Sequence, residues 1–150
     1  FIDHTKEINS VYALVSIIVY AFKKGKTKMT DAEIKKIVKW FYYSQIRNRY
    51  ISQLPQKLDK DIGIVTNENN PFDKLLNIIE AERRLEITPD EFKGVGVLHP
   101  LWALMNWYFK SRNAKCLTTG VSLRKNMGKK YSLEWDHNFP FSILKKSGYG

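Results

Sequence analysis

Apolar residues recur three and four positions apart along most of this chain, and the pattern changes only in the last quarter. In residues 6–23, Ile8, Val11, Tyr12, Val15, Ile18, Val19 and Phe22 share one helix face. Leu14 and Ile17 add apolar surface off that face, so a helix buried on most sides is predicted, ending at Gly25. Thr30-Asp31-Ala32-Glu33 has the composition of a capping box, in which the threonine hydroxyl accepts from the amide three residues on. A second helix follows through Ile34, Ile37, Val38 and Phe41 to about Tyr50, with Lys35, Lys36, Lys39, Arg47 and Arg49 exposed. Residues 52–62 predict a short helix carrying Leu54, Leu58 and Ile62, and residues 66–70 read as a polar loop.

Asn70-Pro71 opens the next helix, with Phe72, Leu75, Leu76 and Ile79 as its inner stripe. Thr88-Pro89-Asp90-Glu91 is a second capping box, cut short by Gly94 and Gly96. A last long helix spans about residues 99–112, its apolar side made by Leu101, Trp102, Met105, Tyr108 and Phe109. Periodicity is lost over 115–128, which reads as a loop or irregular hairpin. Residues 130–135 alternate as a strand does, and 141–146 suit one short helix. The fold class expected is mainly α. It is a bundle of about five or six helices with a small irregular C-terminal segment holding one or two short strands. Residues 1–112 form the bundle and 113–150 the mixed segment.

Charge adds an organised pattern to this picture. The net charge is +10, built from +7 over residues 23–50, −3 over 51–109, +7 over 110–150 and −1 over 1–22. Two basic blocks about a mildly acidic one suit a polyphosphate backbone, although lysine-rich surfaces also serve solubility. Trp40, Tyr42, Tyr43 and Tyr50 lie among lysines and arginines. They can stack on bases, but packing between helices is the commoner use of such residues. The single Cys116 excludes an internal disulfide and a thiolate zinc cluster, and fits a reducing, cytoplasmic setting. The apolar run 11–22 is too short for a membrane span, which takes about 20 residues. Because Phe1 is not a start methionine, the chain is expected to be a piece of a longer protein. No Ser-His-Asp triad, P-loop or dinucleotide fingerprint is present.

One cluster carries a coherent chemistry. At the end of the alternating segment stand Asp136 and His137, followed by Asn138-Phe139-Pro140. A carboxylate holds a hard divalent cation, and a neutral imidazole takes a proton from water. Adjacent strand residues point to opposite faces, so one can face a metal while the other faces the scissile phosphate. The ordinary alternative is a polar strand end with His137 bonded locally. Glu134 shares a face with Asp136 and is either a further metal-site group or a solvent-facing carboxylate. His99 before Pro100 marks a helix start; His4 carries little information, and Asp59 and Asp61 have no partner visible in sequence.

The segment 131–144 resembles the first half of the HNH nuclease motif. Upstream, Lys39-Trp40-Phe41, Arg49-Tyr50, Lys57-Leu58-Asp59-Lys60-Asp61-Ile62, His99-Pro100-Leu101-Trp102 and Thr119-Gly120 resemble the helical middle region of GmrSD-type modification-dependent restriction endonucleases. The resemblance implies that 113–150 open a ββα-metal nuclease segment that is truncated, its later Asn and His or Lys lying beyond Gly150. It implies Asp136 as ligand of one Mg²⁺ or Mn²⁺ and His137 as general base. Double-stranded DNA is the expected partner, to be held by Lys35, Lys36, Lys39, Arg47, Arg49, Arg124, Lys125, Lys129 and Lys130. The fragment by itself is expected to bind DNA weakly and to cut poorly. The family's nucleotide-handling motif, Asp-Gly-Gln-Gln-Arg, does not occur, so nucleotide use belongs to a domain outside this chain. Asn138 stands where the family has isoleucine. The competing reading is a helical nucleic-acid-binding or protein-interaction module without catalytic activity.

Overall fold

The computed structural model describes residues 2, 5–25, 27–96, 99–116, 120, 122 and 145–148. Among these it is mainly helical, with five α-helices: α1 (Ala13–Lys24), α2 (Asp31–Ile46), α3 (Leu54–Asn67), α4 (Pro71–Glu82) and α5 (Pro100–Ser111). Single 3₁₀ turns stand at Thr5–Glu7 and Pro89–Phe92. The expected strand at 130–135 lies outside the described residues, as does the first part of the short helix expected at 141–146; Lys145 and Lys146 are helical. Within the expected irregular hairpin, Lys115 and Ser122 form one isolated antiparallel bridge.

The α2 cap behaves as its residue type requires, whereas Asn70 before α4 makes no side-chain cap hydrogen bond. The Glu33 amide donates to the Thr30 hydroxyl at 3.2 Å, and the Glu33 carboxylate accepts from the Thr30 amide at 2.8 Å. The Thr88 box forms too, and sequence foresaw its short extent. At α4, Asn70 takes the cap position and Pro71 the first turn. The α2 helix stops earlier than expected because Asn48 turns left-handed at φ 54°. The α3 helix runs five residues further than Ile62, absorbing part of the expected polar loop, with Thr66 and Asn67 side chains bonding back to carbonyls within their own helix.

Two apolar clusters organise the bundle. The larger joins α1–α4 through Ala13, Tyr20, Ile37, Trp40, Tyr50, Ile64, Val65, Phe72, Leu75 and Ile79. Trp40 and Tyr20 both meet the Phe72 ring, at centroid distances of 5.4 and 5.2 Å. The smaller cluster seats α5 on the end of α2 through Ile46, Leu101 and Trp107, with Tyr42 edge-on to Trp107 at 4.8 Å. A buried ion pair, Glu7–Lys110, ties the N-terminal turn to α5.

The first helix corrects its expected inner face. Ala13, Ser16 and Tyr20 are buried, while Val11, Tyr12, Leu14, Ile18 and Phe22 are exposed, Phe22 by 82%. Size and hydrogen bonding decide this. Small residues let α3 approach closely, and the Tyr20 hydroxyl donates to Glu33 at 2.6 Å, fixing the helix rotation. The helix also starts at Ala13 and not near residue 6, because the segment before it hooks onto α2: Asn9 donates to the Gln45 carbonyl, and the Ser10 amide to the Gln45 side chain. On α2, Ile34 and Val38 are likewise exposed, and on α5 Trp107 is buried where Tyr108 is half-exposed.

The Tyr20–Glu33–Lys24 contact makes stability depend on pH. The hydrogen bond from Tyr20, joined by those from Thr30 and Lys24, lowers the Glu33 pKa from 4.5 to about 2. A depressed carboxylate contributes stability above its unfolded pKa and loses it as pH falls through the folded one. Thermal melts should therefore show a stability loss between about pH 4.5 and pH 2 that is reduced in Glu33→Gln. The effect is modest, since the carboxylate is partly exposed and screened. An unchanged acid profile in that variant would exclude Glu33 as a source.

Candidate nucleic-acid interface

Lys35 and Lys39 lie one turn apart on α2, exposed, with no carboxylate partner among the described residues. Such a row can follow a phosphate backbone. Lys36 is also exposed but pairs with Asp73, linking α2 to α4. Arg124, Lys125, Lys129 and Lys130 lie outside the described residues, as do Asp136 and His137. Among the described residues, no group of three or more His, Cys, Asp or Glu is gathered for a metal ion.

The expected exposure of Arg47 and Arg49 is corrected, because both turn inward. Arg49 forms a two-point bridge to Asp61, with Nε to Oδ2 at 2.9 Å and Nη2 to Oδ1 at 2.6 Å. Its third nitrogen reaches Glu82 at 2.9 Å, and Tyr50 donates to the same Asp61 at 2.7 Å. The side chains of Arg49 and Asp61 are 1% and 0% exposed, so a full charge pair stands inside the bundle. It is tolerated because every Asp61 oxygen accepts and the guanidinium fork matches the carboxylate. Burial, followed by the Asp61 charge, pushes the Tyr50 hydroxyl upward and keeps it a donor.

Arg47 turns the other way from the same short segment. It grips both Glu91 oxygens and the carbonyls of Leu85 and Glu86, fastening the end of α2 to the connection after α4. Its hydrogen bond holds the Glu91 carboxyl below the ordinary carboxylate range. The aromatic residues fall on the packing side of the alternatives: Trp40 and Tyr50 are buried, and Tyr42 and Tyr43 half-buried against the two clusters.

Around Arg47 lies a cleft of about 500 Å³, lined by Arg47, Arg83, Arg84, Glu86, Thr88, Glu91, His99 and Leu101. His99 stands at the start of α5, as its place before Pro100 led one to expect, and its Nδ1 also caps the helix by accepting from the Leu101 amide at 3.3 Å. The convergence of Arg83 and Arg84 with His99 was not foreseen. The visible signal is a pair of arginines directly following an amphipathic helix, but their meeting with α5 depends on the tertiary fold. No helix among the described residues is long and apolar enough to cross a membrane. No family model, no curated protein and no solved structure matches the chain.

Proposed function

We propose that the chain is the helical region and nuclease opening of a metal-dependent DNA endonuclease, of the kind that restricts modified DNA. The observation that carries this reading is the sequence from the alternating segment through Asp136-His137 to Phe139-Pro140. The donor chemistry fits Mg²⁺ or Mn²⁺: a carboxylate oxygen is a hard ligand, and the neighbouring imidazole is a base suited to neutral pH. Asp136 would be one ligand among several. When bound, the cation offsets the negative charge that develops on the phosphate and its leaving oxygen. His137 takes the proton of the attacking water. Lys35 and Lys39 support the reading by offering, on one helix face, cations without a carboxylate partner among the described residues.

Duplex binding measured against salt concentration tests the phosphate contacts. Affinity should fall steeply with salt, and the double variant Lys35→Ala/Lys39→Ala should lower the log–log slope by about 2. Affinity that stays flat from low to moderate salt refutes phosphate contact.

A second reading, a helical binding module without catalysis, is favoured by the outward apolar residues of α1 and α2, since exposed apolar rows commonly mark interaction surfaces. Retained duplex binding by the full-length protein, with no Mg²⁺- or Mn²⁺-dependent cleavage, would select it over the nuclease.

A further inference from the structure

We propose that the cleft between the end of α4 and the start of α5 is a phosphate site, accepting the phosphate group of an ester ligand through Arg83, Arg84 and His99. The proposal does not rest on the nuclease reading, whose metal-ligand and general-base residues, Asp136 and His137, lie elsewhere in the chain.

The first observation is the charge left over in the cleft. Arg47 and Glu91 neutralise one another in a two-point bridge. Arg83 and Arg84 remain, both exposed and without a salt bridge among the described residues; Arg83 also lies in the field of Glu91, and Glu86 is the other carboxylate of the lining. Arg83 and Arg84 both line the cleft, and like charges at one concavity repel each other unless an anion offsets them. Their planar forks suit the oxygens of a phosphate better than a point charge does.

The second observation is that the walls are held in place. Arg83 caps α4, its amide donating to the Ile79 carbonyl at 2.8 Å. Immediately after it, the Leu85 and Glu86 carbonyls are gripped by Arg47, so the backbone carrying both free arginines is tied to the core. Arg47 itself keeps a buried Nε without a partner among the described residues, beside a cleft that it lines. A buried donor without an acceptor is costly, and an anion in the cleft is a chemically suitable acceptor.

The third observation is the histidine tautomer. Because Nδ1 of His99 accepts from the Leu101 amide, the ring proton of the neutral imidazole sits on Nε2. His99 thus offers the cleft a donor even when uncharged. With Arg83 and Arg84 it makes a set of donors suited to phosphate oxygens. Glu86 at the same cleft is an acceptor and disfavours a ligand that presents only negative charge. It suits one bearing a hydroxyl or amino group near the phosphate, as a nucleotide or sugar phosphate does.

Titration of the whole chain, followed by calorimetry and by the NMR signals of the His99 ring, tests this with inorganic phosphate, adenosine 5′-monophosphate, adenosine and a short DNA duplex. Saturable binding of the monophosphate that shifts the His99 signals, and that weakens by at least about tenfold in Arg83→Ala/Arg84→Ala, is the result expected. Lys60→Ala, an exposed charge on α3 outside the cleft, should leave it unchanged. Duplex binding with the same arginine dependence but without monophosphate binding would also support the phosphate site and assign its source to nucleic acid. Three results would overturn the proposal. One is adenosine binding as well as its monophosphate. Another is an equal loss in Lys60→Ala. The last is no response to any phosphate-bearing probe up to about 10 mM.

Discussion

Asp61→Ala is expected to destabilise the bundle by about 3–5 kcal/mol, a large share of the stability of a domain this size. The substitution removes only the carboxylate and leaves Cβ as a methyl, so lost packing is the smaller effect. It leaves the Arg49 guanidinium buried at 1% exposure with Glu82 as its remaining acidic contact, and Glu82 is half in solvent. It also takes the acceptor from the Tyr50 hydroxyl, which is buried in the larger cluster. A buried charge without its partner retains its full desolvation cost, whereas the intact pair offsets it by Coulomb attraction and two short hydrogen bonds. The double variant Arg49→Met/Asp61→Leu should therefore recover much of the loss, because it removes both charges together. Urea denaturation of the wild type, Asp61→Ala and the double variant measures this. A loss below about 1 kcal/mol for Asp61→Ala would mean that the pair is hydrated in solution.

The second large effect concerns chemistry. In the full-length protein, Asp136→Ala should abolish detectable metal-dependent DNA cleavage, and His137→Ala should lower its rate by about 10²–10⁴-fold through loss of the general base. Duplex affinity should change little in either variant, because neither side chain is among the lysines proposed to hold the backbone. The pH–rate profile separates the roles: the acidic limb, where protonation of His137 removes the base, should vanish from the residual rate of His137→Ala. Cleavage that survives both substitutions would remove the catalytic assignment and leave the binding module.

Much of the helical plan was legible because local chemistry encodes it. The threonine boxes at Thr30 and Thr88, the proline starts at Pro71 and Pro100 and the stripe Phe72–Leu75–Ile79 each follow from residues adjacent in sequence. What was not legible depends on distant partners. Periodicity named the apolar residues of α1 but could not tell that Ala13 and Ser16 would be chosen for close approach over Val11 and Ile18. Arg47 and Arg49 looked like a solvated helix end, since the carboxylates that draw them inward come from α3, α4 and the 3₁₀ turn at Pro89–Phe92. Asp61 seemed to lack a partner for the same reason. Asp136 and His137 rest on adjacency and alternation in the sequence alone and lie outside the described residues. The cleft of Arg83, Arg84 and His99 required the packing of α5 against the end of α2.

The pair Glu7–Lys110 has a consequence for the order in which the chain assembles. Its members are 103 residues apart, whereas Arg49–Asp61 spans 12 and Tyr20–Glu33 spans 13. Closing a long loop costs more chain entropy than closing a short one, so contacts near in sequence form first in chains dominated by local pairing. The helices α1–α4 can therefore collapse on their own contacts, and the clasp between the N-terminal turn and α5 closes late. Unfolding takes the reverse course, so the amides of α5 should exchange with solvent faster than those of α2 and α3.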